Sequence, residues 1–135
     1  MGTRNVLLAG ELKARPLWVA LGWGLILLVV YLSLTPTPVD LPLEKGDKLS
    51  HVLAYLVLMW WFANLYPGAY HRICWATGFV LLGIVLEFLQ RWTGYRSFEL
   101  ADMVAGTLGV ALGWILAPPR LPFYLGFAEK FWCKE

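Results

Sequence analysis

Residues 73–90 read ICWATGFVLLGIVLEFLQ, an apolar run in which the carboxylate of Glu87 is the only charged side chain. A helix needs about 17 to 25 mostly apolar residues to span the roughly 30 Å hydrocarbon core of a bilayer. A surface helix of a soluble protein would instead carry a polar face along its length. We therefore interpret this run as a membrane-spanning helix, and spanning alone does not explain Glu87.

Three further apolar runs of similar length, each followed by a proline, predict the rest of the fold. They cover about Leu17 to Leu34, Leu49 to Tyr66 and Leu100 to Ala117. The sequence therefore predicts an all-α fold, a four-helix transmembrane bundle over residues 17–117. A signal peptide is the alternative for the first run, but the absence of a small-residue cleavage site favours a retained anchor.

Two short segments flank the predicted bundle, a cytoplasmic N-terminal segment (1–16) and a cytoplasmic tail (118–135). In the tail, apolar residues recur at helical spacing with charged residues between them, which is typical of an interfacial amphipathic helix. The apolar residues are Tyr124, Phe127, Ala128 and Phe131, and the charged ones are Glu129, Lys130 and Lys134.

The composition excludes an ordinary soluble domain. Of the 135 residues, 59% are hydrophobic and 15% are charged, whereas about a quarter of the residues in soluble domains are charged. The net charge of +2 is small and the Lys and Arg residues are scattered, which excludes a nucleic-acid-binding surface. Cys74 and Cys133 are too few and too far apart for a disulfide framework or a zinc site, and we expect free thiols.

The distribution of charge predicts an orientation in the membrane. Seven Lys and Arg residues lie in the two tails and the middle loop, and four lie in the other two loops. The positive-inside rule therefore places both termini in the cytoplasm. Seven of the eight tryptophans lie toward that side, and Trp92 alone lies toward the outside.

A stripe of small residues along the fourth predicted helix would let another helix approach closely. The partner stays open between the first helix, where Ala20 and Gly24 have the same spacing, and a second subunit or partner protein. The stripe consists of Ala101, Ala105, Gly109, Gly113 and Ala117.

The remaining polar side chains converge on the outer ends of the helices. Glu87 lies near the carboxyl end of its helix, where the helix dipole repels an anion, so we expect a partner such as Arg96, His51 or Lys48. Several of the others have simpler explanations. Carboxylates are favourable at helix starts, and long basic side chains can extend to the interface. The predicted ligand-binding residues are Asp47, Lys48, His51, Tyr55, Glu87, Gln90, Arg96 and Asp102.

This pattern, followed by Gly94, Gly109 and Gly113, resembles the VanZ-like family over about two-thirds of the chain. The resemblance implies a multi-pass protein of the bacterial inner membrane whose polar residues face the cell envelope. The family is named for a protein that confers resistance to teicoplanin-type glycopeptide antibiotics. One departure is visible, because Gly106 stands where the family usually has an asparagine.

Three functions fit these observations. The first is binding or modulation of a cell-envelope molecule, such as a lipid-linked glycan, a glycolipid or a peptidoglycan precursor, at the outer leaflet. The second is an intramembrane hydrolase or transferase with His51, Glu87 and Asp102 as catalytic candidates. A divalent metal held by Asp47 and those three residues is a variant of this second function, although no cofactor is identified. The third is a structural partner subunit of a membrane complex, in which the polar residues lock the helices together.

Overall fold

The computed structural model describes residues 14–36, 46–94 and 97–117, together with Ala128 and Phe131, but not the side chains of Gly46 and Asp47. These ranges contain four α-helices: α1 (Arg15–Leu34), α2 (Gly46–Leu65), α3 (Ala69–Thr93) and α4 (Leu100–Leu116). No strand occurs in the described ranges. The predicted all-α fold with four helices is therefore confirmed, and α3 extends a few residues beyond both of its predicted ends.

Local sequence explains where the helices begin and end. Pro16 lies in the first turn of α1, where its missing N–H costs no hydrogen bond. Thr35, just before Pro36, is extended and ends that helix. Gly94 ends α3 in the left-handed conformation with a φ of 79°, which glycine adopts without steric cost.

The closest packing in the bundle is between α2 and α4. A Cβ atom added at Gly113 would lie 2.5 Å from the carbonyl oxygen of Leu56, and one added at Gly109 would overlap the carbonyl oxygen of Val52. Because these positions lack a side chain, the two backbones can approach each other directly. The small-residue stripe thus packs on α2, whereas the prediction considered only α1 or another subunit.

Two residues of the predicted packing surfaces take no part in this contact. Ala101 is exposed, and a Cβ added at Gly24 of α1 would meet nothing within 4 Å. The buried face of α4 is rotated slightly from the predicted stripe and includes Gly106 and Val110. The helix therefore presents Asp102 and the small residues to α2 on the same side.

Aromatic side chains fill the end of the bundle where α2 ends and α3 begins. The rings of Phe62 and Trp75 stack with centroids 4.0 Å apart. The indole N–H of Trp61 donates a hydrogen bond to the carbonyl oxygen of Trp18 at 3.0 Å, which joins α2 to α1. Trp92, at the other end of α3, is 85% exposed. Among the tryptophans that the structure describes, the predicted asymmetry along the bundle is present, and most of those at the crowded end also form part of the core.

Two of the helices, α1 and α3, are long and apolar enough to cross a membrane by length and composition. The apolar helix α4 is shorter, at 17 residues. Polar residues such as Lys48, His51 and Asn64 lower the hydropathy of α2. The four predicted runs are thus four helices, of which two meet the requirements for a span.

Most of the predicted flanking segments lies outside the described residues. In the tail, Ala128 and Phe131 are both helical and exposed. Cys74 is exposed and carries a free thiol, as expected, whereas Cys133 lies outside the described residues.

Candidate functional site

Among the described residues, five polar side chains meet at one end of the bundle, where α2 and α4 begin and α3 ends. The ammonium group of Lys48, on α2, donates hydrogen bonds to Glu99 Oε2 at 2.7 Å and to Asp102 Oδ1 at 3.3 Å. These contacts are also ion pairs, and they join the first turn of α2 to the start of α4. We call Lys48, His51, Glu87, Glu99 and Asp102 the polar cluster.

Glu87 is the most deeply buried acid of the polar cluster, with 2% of its surface exposed. Its Oε1 atom accepts a hydrogen bond of 2.7 Å from the backbone N–H of Glu99. This backbone donor was not among the expected partners. Of the expected ones, His51 lies within reach of the Glu87 carboxylate, while Arg96 lies outside the described residues.

One nitrogen of His51 and one carboxylate oxygen each of Glu87 and Asp102 lie within 4.8 Å of one another. The three residues come from α2, α3 and α4 respectively. Asp102 is 8% exposed, and His51 is partly buried. Imidazole and carboxylate groups so placed can bind a metal ion, share a proton or accept hydrogen bonds from a hydroxyl-rich ligand.

The described side chains of the polar cluster, taken by themselves, carry more negative than positive charge. Three carboxylates and the ammonium group of Lys48 give these five residues a formal charge of −2 with His51 neutral. Charges removed from water in this way are costly unless they are paired or coordinate a metal. The polar cluster is therefore suited to a cationic or hydrogen-bond-donating ligand.

Two of the predicted ligand-binding residues lie beside the polar cluster and hold the helices around it. The side-chain N–H of Gln90 donates a 2.7 Å hydrogen bond to the carbonyl oxygen of Ser33, which ties α3 to the end of α1. Tyr55 is buried between α3 and α4, and Cβ atoms added at Gly83 and Gly106 would lie 3.3 and 3.2 Å from its side chain. The Tyr55 hydroxyl lies beside Gly83, one helical turn before Glu87 on α3.

The structure brings together Lys48, His51, Glu87 and Asp102 from the predicted set. The Asp47 side chain and Arg96 lie outside the described residues. Glu99 is the member of the polar cluster that the predicted set omitted. Glu99 is the extended residue that immediately precedes α4, three residues before Asp102, and this closeness in the sequence could have indicated its role.

No protein-family model matches the chain, and no solved structure matches it significantly. An uncharacterized protein of the fission yeast Schizosaccharomyces pombe is 30% identical over 95 residues, which cover 68% of this chain and 57% of the yeast protein. The chain thus spans little more than half the length of this relative. Because the relative is eukaryotic, it gives no support to a bacterial inner-membrane location. The resemblance to the VanZ-like family stays a prediction.

Proposed function

We propose that this chain is a four-span membrane protein that binds the polar headgroup of a lipid-linked glycan or glycolipid at the polar cluster. The observation that carries the proposal is a buried group of carboxylates and a histidine at one end of helices whose outer surfaces are apolar. Buried ionisable residues in membrane helices are costly and commonly mark substrate sites.

The exposed surface of the helices supports a membrane environment. In α1 only Trp18 and Gly22 are buried, although residues 16–32 include no charged side chain and are mostly apolar. Large apolar residues are also exposed on the other three helices, for example Val57, Leu81 and Leu108. A soluble monomer rarely exposes so much contiguous apolar surface, and lipid would cover it.

The packing of α2 against α1 and α3 supports placing α2 at the same depth in the membrane as those two helices, which are long and apolar enough to span it. It contacts α1 through Trp61 and Trp18, and α3 through Phe62 and Phe79. Its 20 residues extend over about 30 Å at 1.5 Å per residue, which matches the hydrocarbon core. The close contact between α2 and α4 brings α4 to the same depth.

The chemistry of the polar cluster favours a hydroxyl-rich headgroup. Carboxylates accept hydrogen bonds from sugar hydroxyls, and the net negative charge opposes a purely anionic ligand. The exposed rings of Phe88 and Trp92 lie on the same end of α3, where apolar ring faces suit sugars. Of the cell-envelope molecules considered from the sequence, the glycan-bearing lipids fit best. A bacterial peptidoglycan precursor stays one member of this class.

Native mass spectrometry of the detergent-purified full chain tests the proposal, with a polyprenyl-diphosphate-linked disaccharide, a glucosyl diacylglycerol and phosphatidylglycerol as probes. We expect the wild type to retain a sugar-bearing probe more strongly than phosphatidylglycerol. Glu87→Gln should lose this preference, because it replaces a carboxylate, which only accepts hydrogen bonds, by an amide that also donates them. Arg91→Gln, an exposed charge change at the same end of α3, is the matched control and should behave like the wild type.

Two outcomes would contradict headgroup binding. One is equal retention of all three probes by the wild type and Glu87→Gln. The other is unfolding of Glu87→Gln at a markedly lower temperature together with unchanged probe preference, which would favour the structural lock formed by Lys48, Glu99 and Asp102.

The position of His51 between two carboxylates favours hydrolysis or group transfer as a second candidate function. A carboxylate beside an imidazole can orient it as a general base. Incubation of the protein with the polyprenyl-diphosphate-linked disaccharide, followed by chromatography of the products, tests this candidate. Release of the disaccharide that stops in His51→Ala would support it, whereas retention of the probe without turnover would reject it.

A further inference from the structure

We propose that His51, Glu87 and Asp102 bind one divalent transition-metal ion, Zn²⁺ or Mn²⁺, between α2, α3 and α4. Metal binding follows from the residues themselves. Only the role of the ion in holding a phosphate or hydroxyl group of the headgroup rests on the proposed function.

The geometry requires little movement. Three points that are within 4.8 Å of one another all lie within about 2.8 Å of a common centre. Metal bonds to imidazole nitrogen and carboxylate oxygen are about 2.0 to 2.2 Å long, so each ligand atom must move by less than about 0.8 Å. Small changes of side-chain torsion angle supply such a movement. Each side chain can make its own change, because the three residues belong to different helices.

The donor set limits the choice of ion. One imidazole and two carboxylates form a mixed nitrogen and oxygen set, which suits manganese, iron or zinc. Calcium and magnesium prefer sites made of oxygen ligands alone. In a simple competition Zn²⁺ binds such a site more tightly than Mn²⁺. Three protein ligands also leave coordination positions open, as in catalytic and ligand-binding metal sites.

Charge and hydrogen bonding support the same site. The polar cluster carries a net charge of −2, which a divalent ion neutralises. The backbone N–H of Glu99 holds one oxygen of Glu87. Contacts of this kind orient metal-binding carboxylates. When the ion binds, the shorter contact of Lys48 with Glu99, at 2.7 Å, keeps the ammonium group in place.

Metal binding is tested on the full chain, purified in detergent and treated with a chelator. The protein is incubated with Zn²⁺ or Mn²⁺, and bound metal is measured by mass spectrometry of the metal and by competition with a chromogenic chelator. We expect about one equivalent of Zn²⁺, with affinity at least 10-fold weaker in His51→Ala and Asp102→Asn. The control is His71→Ala, which removes the other histidine, an exposed one at the opposite end of the bundle.

Lys48→Gln should raise the affinity for Zn²⁺, a result that an unfolded protein cannot give. Removing a positive charge next to the ion should tighten Zn²⁺ binding by about tenfold or more. The absorption spectrum of the Co²⁺-loaded wild type should show ligand-field bands that disappear with excess Zn²⁺. These two measurements keep the inference testable when a ligand variant fails to fold.

The inference is overturned when the wild type takes up no more metal than His51→Ala, or when His71→Ala loses the metal and His51→Ala keeps it. Weaker Zn²⁺ binding by Lys48→Gln would contradict it as well. Failure of headgroup binding is a separate result. A protein that binds Zn²⁺ but retains no sugar-bearing probe supports the metal site and refutes the proposed function. A protein that retains a sugar-bearing probe but binds no Zn²⁺ supports the proposed function and refutes the metal site.

Discussion

Alanine substitutions at Gly109 and Gly113 test the packing of α4 on α2. A Cβ atom at Gly113 would lie 2.5 Å from the carbonyl oxygen of Leu56 and 2.8 Å from the Cβ atom of Met59. Ordinary contacts begin at 3.4 Å, so the two helices must separate by roughly 0.9 Å at this point. A gap of about 0.5 to 1 Å removes a quarter to a half of the dispersion energy of each atom pair across it.

We expect each substitution to lower the free energy of unfolding by about 1 to 3 kcal/mol, the usual cost of inserting a methyl group into a packed interface. Helix propensity acts in the opposite direction, because alanine is favoured over glycine by up to about 1 kcal/mol in a helix. The interface term is larger because the obstacle is backbone, which cannot rotate away as the end of a side chain can.

The assay is unfolding of the detergent-purified protein by denaturant, followed by the fluorescence of its eight tryptophans. The control is Gly24→Ala in α1, where a Cβ atom meets nothing within 4 Å, so that only the gain in helix propensity remains. Equal stability of Gly113→Ala and Gly24→Ala would refute the close contact between α2 and α4.

Two further substitutions test other contacts in the bundle. Gly106→Asn should lower the free energy of unfolding by about 1 kcal/mol or more, because a Cβ atom there would lie 3.2 Å from the Tyr55 ring. The control is Thr107→Asn, at the exposed neighbouring position. Equal stability of the two variants would contradict the contact. Trp61→Phe should cost about 1 kcal/mol through loss of the 3.0 Å hydrogen bond to the carbonyl oxygen of Trp18. Trp92→Phe, at an 85% exposed site, should cost little in the same measurement of unfolding by denaturant.

The four helices could be predicted because apolar runs and prolines mark them directly. Pro36, Pro67 and Pro118 each follow a helix within a few residues, and the predicted bounds differ from the observed ones by at most four residues. Proline lacks the N–H that continues a helix, so this signal depends on neighbouring residues alone. Local chemistry of this kind can be recognised in a single sequence.

Pairing of helices could not be predicted in the same way. The small residues on α4 indicate that another helix packs closely against it, but they do not identify that helix, because glycine has no side chain that would select one partner over another. The partner of Glu87 was missed for a related reason, since the donor is the backbone N–H of Glu99, and every residue except proline has one. The search for a charged partner of Glu87 led to Arg96 and Lys48. The donor that contacts Glu87 is a backbone N–H, and its position depends on the path of the chain just before α4.

The polar cluster depends on the same close packing that the glycines allow. Gly109 and Gly113 bring the axis of α4 against α2, which places Asp102 within reach of Lys48 and His51. Tyr55 lies one helical turn beyond His51, and its ring fits beside α4 because position 106 has no side chain. An asparagine at that position would compete with the ring for the same space. A change that separates α2 from α4 should therefore also separate His51 from Asp102.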